Sequence, residues 1–293
     1  MKGQLQDHKH IVGIHDAPPM HWVGDGFPVR PMMTIADYKA LDPFLMLDYA
    51  APMTFEPAAS RRGVGQHPHR GFETVTVVYQ GELEHRDSTG AGGTIGPGDV
   101  QWMTAASGIL HKEYHQENWA REGGTFQMMQ LWVNLPASHK SAAPGYQTLL
   151  KDEIPYVALD NGAGHVRVIA GGYQGTKGPA RTFTPINVWD VSIAAGKSAT
   201  LPMPDGHSAA LALLRGAVSV NGADVARSGQ LVVLERAGSA VTLGAESDSL
   251  LLVLSGEPIG EAIAAYGPFV MNTKDEIQQA MRDFNNGTFG TLS

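Results

Sequence analysis

Short apolar runs closed by glycine or proline recur through most of this 293-residue chain. That rhythm constrains the fold more than any other feature, because it suits strands joined by tight turns. Residues 74–79 are β-branched and aromatic and stop at Gly81; such residues favour a pleated, half-buried surface. Residues 83–86 follow, then the turn Asp87-Ser88-Thr89-Gly90. Gly96-Pro97-Gly98-Asp99 leads into 100–103, 111–115 alternates, and 126–135 is a longer apolar run. A second set of strands is predicted at 165–169, 188–193, 209–214, 218–220, 231–234, 241–243 and 250–254. Asn221-Gly222 lies between two of them and is a hairpin signal, since both central positions of such a turn need positive φ. The 35 glycines and 18 prolines are not periodic, which excludes a collagen-like chain.

The two sets resemble each other in layout. Gly216 follows a strand 135 positions after Gly81 does, and Gly229 precedes one 131 positions after Gly98 does. Nearly constant offsets predict a duplicated unit. The length suits two domains of roughly 130 residues, each with its own core. The expected division is 1–140 and 141–293, with residues 136–163 (Pro136, Pro144, Gly145, Pro155) as the linker. The first 65 residues or so read as an opening strand, loops and packing segments such as Phe44-Leu45-Met46-Leu47. His8, His10, His15 and His21 in that stretch read as solvated or structural histidines. Near the other end, Thr273-Lys274-Asp275-Glu276 fits a capping box. Ile277, Ala280, Met281 and Phe284 then form a helical apolar stripe, stopped at Asn286-Gly287. This helix is expected to pack on a barrel.

Composition excludes several functions. With 21 basic and 29 acidic residues the formal charge is −8. No basic cluster larger than Arg61-Arg62 offsets it, so direct nucleic-acid binding is not expected. There is no cysteine, so disulfides, iron–sulfur clusters and thiol nucleophiles are excluded, and any metal must be held by histidine and carboxylate. No apolar run is long enough to span a membrane. The polar N-terminus lacks the core of a signal peptide, so the expected location is the cytoplasm.

The chemistry concentrates in two stretches. In His67-Pro68-His69-Arg70-Gly71-Phe72-Glu73, the His-x-His on extended backbone puts two imidazoles on one face, about 6–7 Å apart at their backbones. Pro68 stiffens that spacing. About forty residues on, His111, Glu113 and His115 alternate in Gly108-Ile109-Leu110-His111-Lys112-Glu113-Tyr114-His115. If the two strands are neighbours, His111 and Glu113 complete a set of three histidines and one carboxylate. Such a set suits iron, manganese, nickel, copper or zinc. Glu73 is a rival for the carboxylate, and His115 is open between ligand, supporting group and surface residue. Shifting both stretches by 131–135 positions lands near 198–204 and 242–248, where His207 is the nearest histidine. One metal per chain is therefore expected.

The strings HPHRGFETVTVVYQGELEHRDSTG, GDVQWMTAASGILHKE and QLWVNLP resemble the N-terminal domain of the pirin family, and GPFVMNTKDEIQQAM resembles that family's C-terminal segment. The resemblance is strong over about residues 60–160 and looser to about 285. It implies an all-β fold of two cupin (jelly-roll-like) β-barrels in tandem with a short C-terminal helix. It also implies one divalent metal per chain, iron(II) ahead of nickel, copper, manganese or zinc, on His67, His69, His111 and Glu113. That favours Glu113 over Glu73; His115 is an extra histidine beside the family pattern. The implied activity is that of a quercetin 2,3-dioxygenase, which opens a flavonol and releases carbon monoxide. Glu113 would remain a ligand or take the substrate's hydroxyl proton, and Phe72, Gln101, Trp102 and Met103 are the candidate substrate contacts. The alternative implied role is non-enzymatic: an iron-dependent redox sensor that binds a protein partner.

Overall fold

The structure is a computed structural model and describes residues 7–292. It consists of two compact units, each built around a pair of antiparallel sheets, with two further two-stranded ribbons over residues 172–177 and 264–271. The unit that holds the histidine-rich stretches, here the N-terminal sandwich, comprises Pro19–Ile35, Phe44–Lys151 and the chain from Ile259 onward. Its seven-stranded sheet runs in the order Gly145–Leu149, Val100–Thr104, Phe72–Gln80, Gly124–Asn134, Phe44–Phe55, Phe27–Met33, His21–Val23. Its four-stranded sheet runs Gly63–His69, Ile109–His115, Leu83–Asp87, Gly92–Ile95.

The C-terminal sandwich repeats this topology strand for strand. Its large sheet runs Ile11–Asp16, Gln230–Leu234, Ser208–Arg215, Ser249–Gly256, Ile186–Ile193, Gly164–Ala170, Tyr156–Ala158. Its small sheet runs Ser198–Pro202, Ala240–Ala245, Ala217–Val220, Val225–Arg227. Each predicted run falls inside one of these strands, except that 126–135 runs one residue past Asn134, and the two strands about Asn221-Gly222 pair as a hairpin, with positive φ at both residues. The matching orders give the duplication that the glycine offsets predicted.

The division of the chain differs from a single cut at 140/141. The mid-chain boundary falls between Lys151 and Asp152, and both ends are exchanged. Residues 145–149, expected in the linker, pair with Val100–Thr104 and close the edge of the N-terminal large sheet. Its counterpart edge in the C-terminal sandwich is covered by Ile11–Asp16, which pairs with Gln230–Leu234. An uncovered edge exposes unpaired N–H and C=O groups, so each large sheet gains from a covering strand. The packing segment Phe44-Leu45-Met46-Leu47 begins a twelve-residue strand, hydrogen-bonded on both sides.

The C-terminal helix Lys274–Asn285 belongs to the N-terminal sandwich. Thr273 and Glu276 form the expected capping box. Ile277 and Ala280 are buried in a cluster with Leu110, Phe269, Met271 and Phe289, while Met281 and Phe284 stay partly exposed. This tail packs behind both histidine-bearing strands. Gly71 has φ of 90°, and a Cβ there would lie 1.9 Å from the Val270 carbonyl oxygen. Lys140 is fully buried and donates to the carbonyls of Gly71 and Val270 and to Asn134 Oδ1, at 2.7–2.9 Å. Burial lowers its pKa to about 8, partly opposed by Glu261 and Glu276. Among the described residues no helix is long and apolar enough to cross a membrane.

Candidate metal centre

The two stretches are neighbours. Strand Gly63–His69 pairs with Ile109–His115 in a register that sets His67 opposite His111. Ring nitrogens of His67, His69 and His111 all come within 4.8 Å of one another. Each ring has one nitrogen committed or hidden and one left over. His67 Nδ1 donates to the Gly65 carbonyl at 2.8 Å, which leaves Nε2 bare. His69 Nδ1 and His111 Nε2 are buried without a hydrogen-bond partner. Buried polar atoms are rarely orphaned, so two in one cluster mark a place where a cation fits. Burial, followed by repulsion from the neighbouring imidazoles, holds the pKa of His69 and of His111 well below the ordinary value. Both rings are therefore neutral, as ligation requires.

Glu113 enters a second group, with His111 and His85, rather than the three-histidine one. It is 5% exposed, and both its oxygens are occupied. Gln101 Nε2 donates to Oε1 at 2.9 Å and Gln130 Nε2 to Oε2 at 3.2 Å. Glu113 nonetheless lines the same cavity as His67 and His69, a space of about 390 Å³. The rest of its wall is largely apolar (Val23, Phe27, Val29, Met46, Val64, Met128, Trp132), with His21, Asp48 and Gln130 as polar members. Ligand sites have this character and size, roughly 300–1,000 Å³ with a few convergent polar groups.

His85 was missed by sequence reading, and it organises the centre. It lies opposite Glu113 on the neighbouring strand. Its Nε2 sits 3.1 Å from Asp87 Oδ2. Burial pushes the Asp87 carboxyl up, but hydrogen bonds from His85 and Thr89 outweigh it, and the pKa falls below its usual value. An ionised carboxylate only accepts, so His85 Nε2 carries a proton, and its Nδ1, which meets the amide donor of Gln101, offers a lone pair. That lone pair faces His111 Nδ1 at 3.4 Å and Gln101 Nε2 at 3.3 Å. His111 then carries its proton on Nδ1 and presents a bare Nε2. The only sequence sign of this was alternation: His85 and Asp87 share one face of a short strand.

The other expected residues fall elsewhere. Glu73 is buried and accepts from Thr104 Oγ1 at 2.7 Å; burial, opposed by that bond, raises its pKa to about 7. His115 is neither ligand nor surface residue. It is buried in an aromatic box of Phe27, Phe55, Trp119 and Phe126, with Nε2 bonded to the Gly26 carbonyl at 2.9 Å. None of Phe72, Gln101, Trp102 and Met103 lines the cavity. Phe72 is one layer behind, stacked at 4.2 Å on Trp132, which does line it. Gln101 orients Glu113 and His85, and Trp102 and Met103 are fully buried. His21, read as bland, lies on the cavity wall. In the C-terminal sandwich the counterpart strands carry Leu201, Val241 and Leu243, all buried in one apolar core.

Comparison with known proteins agrees with this geometry. The family model described as Pirin matches residues 26–133, and that of the Pirin C-terminal cupin domain matches 188–290. The chain belongs to the pirin family. Pirin relatives cover nearly all of it. The protein named "Putative quercetin 2,3-dioxygenase" of Pseudomonas aeruginosa is 57% identical over 96% of this chain and 98% of its own. Pirin-1 of Arabidopsis thaliana is 39% identical over 91% of this chain and 90% of its own. The crystal structure of a quercetin 2,3-dioxygenase from Acinetobacter baumannii superposes with a TM-score of 0.95 at 50% identity, covering 98% of this chain and all of that one. The pirin fold is thus shown here as two all-β cupin units.

Proposed function

We propose that this pirin-family protein is a metal-dependent dioxygenase that opens flavonols such as quercetin. One observation carries the reading: ring nitrogens of His67, His69 and His111 lie within 4.8 Å of one another, and His67 and His69 share with Glu113 the wall of a cavity large enough for a flat aromatic molecule. The relatives named for quercetin dioxygenation support the choice of substrate.

His67, His69, His111 and Glu113 would hold one divalent cation, iron(II) in this proposal. When bound, the cation supplies Lewis acidity toward an adjacent hydroxyl and carbonyl, and a redox partner for dioxygen. The chain's residues do the rest. Asp87, through His85, keeps the His111 proton away from the ligating nitrogen. Gln101 and Gln130 fix Glu113 from two sides. Trp132, Phe27 and Met128 offer apolar faces to the substrate rings and exclude water. The net charge of −8 fits a small aromatic substrate rather than nucleic acid, and the reading places the protein in the cytoplasm.

Protein purified without oxygen and loaded with iron(II) should bleach quercetin's visible absorbance when air is admitted, with carbon monoxide released. Unchanged absorbance from a sample holding stoichiometric iron would reject the assignment.

A further inference from the structure

A flavonol that chelates through a hydroxyl must surrender that proton to a base. On the flavonol reading above, Glu113 is the obvious choice and a poor one. Both its oxygens already accept amide hydrogen bonds, from Gln101 and Gln130, and a ligand bond engages it further. Swinging it away breaks all of these at once.

Asp48 is differently placed. It is 7% exposed and lies on the wall of the same cavity; its carboxyl has His21 as a charged neighbour but no side-chain hydrogen bond or ion pair among the described residues. Its strand, Phe44–Phe55, sets it directly opposite Gln130. Directly opposed residues on one face have Cβ atoms about 5 Å apart, and Gln130 reaches Glu113 at 3.2 Å. Asp48 is thus one residue away from the metal ligands without being one. A buried carboxylate with no donor is destabilising unless something that enters the cavity supplies the donor.

We propose that Asp48 is the general base of this site, accepting the proton of the substrate's chelating hydroxyl while Glu113 stays fixed as a ligand. In that step the substrate O–H bond breaks, its electron pair stays on oxygen, and a new O–H bond forms on Asp48. No oxidant or reductant is consumed. Ring opening with loss of carbon monoxide leaves the product as a carboxylate, and Asp48 releases its proton to solvent as the product departs. The titratable groups sharing the cavity wall are His21, His67, His69 and Glu113. Burial raises Asp48 to about 6, and nearby His21 holds it from going higher. It is therefore ionised yet basic near neutral pH, where a general base works best.

The test uses the full-length protein loaded with redox-silent zinc, without oxygen, alongside the iron-loaded form. In the zinc protein at neutral pH, quercetin should bind as its anion, seen as a red-shifted visible band. Asp48→Asn should bind it unionised, the band returning only as pH is raised. Turnover by iron-loaded Asp48→Asn should fall on the order of 100-fold or more, with metal content unchanged. Asp48→Ser should regain part of the turnover when formate is added. A full anion band and turnover within about threefold of wild type in Asp48→Asn would overturn the proposal and leave the flavonol reading standing. Loss of metal from both variants would assign Asp48 to holding the fold and also overturn it. A wild-type protein that neither binds nor consumes quercetin would remove the flavonol reading itself, and the proposal with it.

Discussion

Substituting Asp87 by asparagine tests whether the metal site is set by a proton two side chains away from it. Asp87 accepts from His85 through Oδ2 and from Thr89 N and Oγ1 through Oδ1, at 2.6–3.1 Å. Asparagine can keep the Thr89 bonds with its one oxygen and must then turn its amide N–H toward His85 Nε2. That nitrogen becomes the acceptor, and the His85 proton moves to Nδ1. It then confronts the His111 Nδ1–H across 3.4 Å. Two donors cannot face each other there, so His111 shifts its own proton to Nε2, the nitrogen it would offer a cation. Groups that orient metal-binding histidines in this way are worth 10–100-fold in affinity, about 1.4–2.7 kcal/mol. Competition against a chelator of known affinity measures the difference directly. Asp87→Asn should weaken binding by at least about tenfold, with the melting temperature of the metal-free protein nearly unchanged. An affinity within about twofold of wild type would refute the proton assignments from Asp87 through His111.

Two further substitutions probe the scaffold. His115 is buried with its pKa lowered to about 4, chiefly by burial, partly opposed by its bond to Gly26. The unfolded chain, with its histidine near 6.5, takes up this proton first, so stability is full above that value and falls as pH drops toward 4, by about 3 kcal/mol in all. Urea unfolding of metal-free His115→Phe should show that much less acid destabilisation over this window; equal slopes would show that His115 does not titrate there. Gly71→Ala should cost about 3 kcal/mol or more, because a positive φ is combined with a Cβ 1.9 Å from the Val270 carbonyl oxygen. Gly90→Ala, with φ of 86° and nothing within 4 Å, should cost only about 1 kcal/mol; equal losses in chemical denaturation would mean that the tail does not press on Gly71.

What could be read from the sequence was local. Alternation and turn residues marked twelve of the 26 described strands, because side-chain period and backbone dihedrals are properties of a few neighbouring residues. His67, His69 and His111 were legible as candidates for the same reason, whereas the preference for Glu113 over Glu73 came from the family resemblance. The residues that complete the site depend on register between distant strands. Nothing near His85 announces that Glu113 will lie opposite it, and nothing near His21 places it on a cavity wall. Asp48 gave a faint sign, a lone carboxylate in the apolar run 44–51. The exchange of chain ends is the extreme case: Ile11–Asp16 pairs with residues more than 200 positions away. Phe72, Trp102 and Met103 misled for a related reason. Phe72 follows His69 by three residues, and Trp102 and Met103 lie on the strand beside it in the large sheet, yet none of the three lines the cavity.

The duplicated scaffold shows what the candidate metal-binding set costs the fold. The strand pair Ser198–Pro202 and Ala240–Ala245 fills the C-terminal sandwich with Leu201, Val241 and Leu243. Each such side chain contributes about 1.5–3 kcal/mol on burial. The same strand pair in the N-terminal sandwich buries imidazoles with orphaned nitrogens, which oppose folding until a cation satisfies them. Compensation lies directly behind those strands. The tail adds an apolar cluster against Leu110 and the ion pair of Arg70 with Asp283 at 2.6 Å, and buried Lys140 ties Gly71 to its Val270. Gly108, three residues before His111, leaves room for the ring of Phe289. The C-terminal segment therefore does for the histidine-bearing sandwich part of what leucine and valine do for its twin. It holds in place a polar centre that the strands around it would not keep by hydrophobic packing alone.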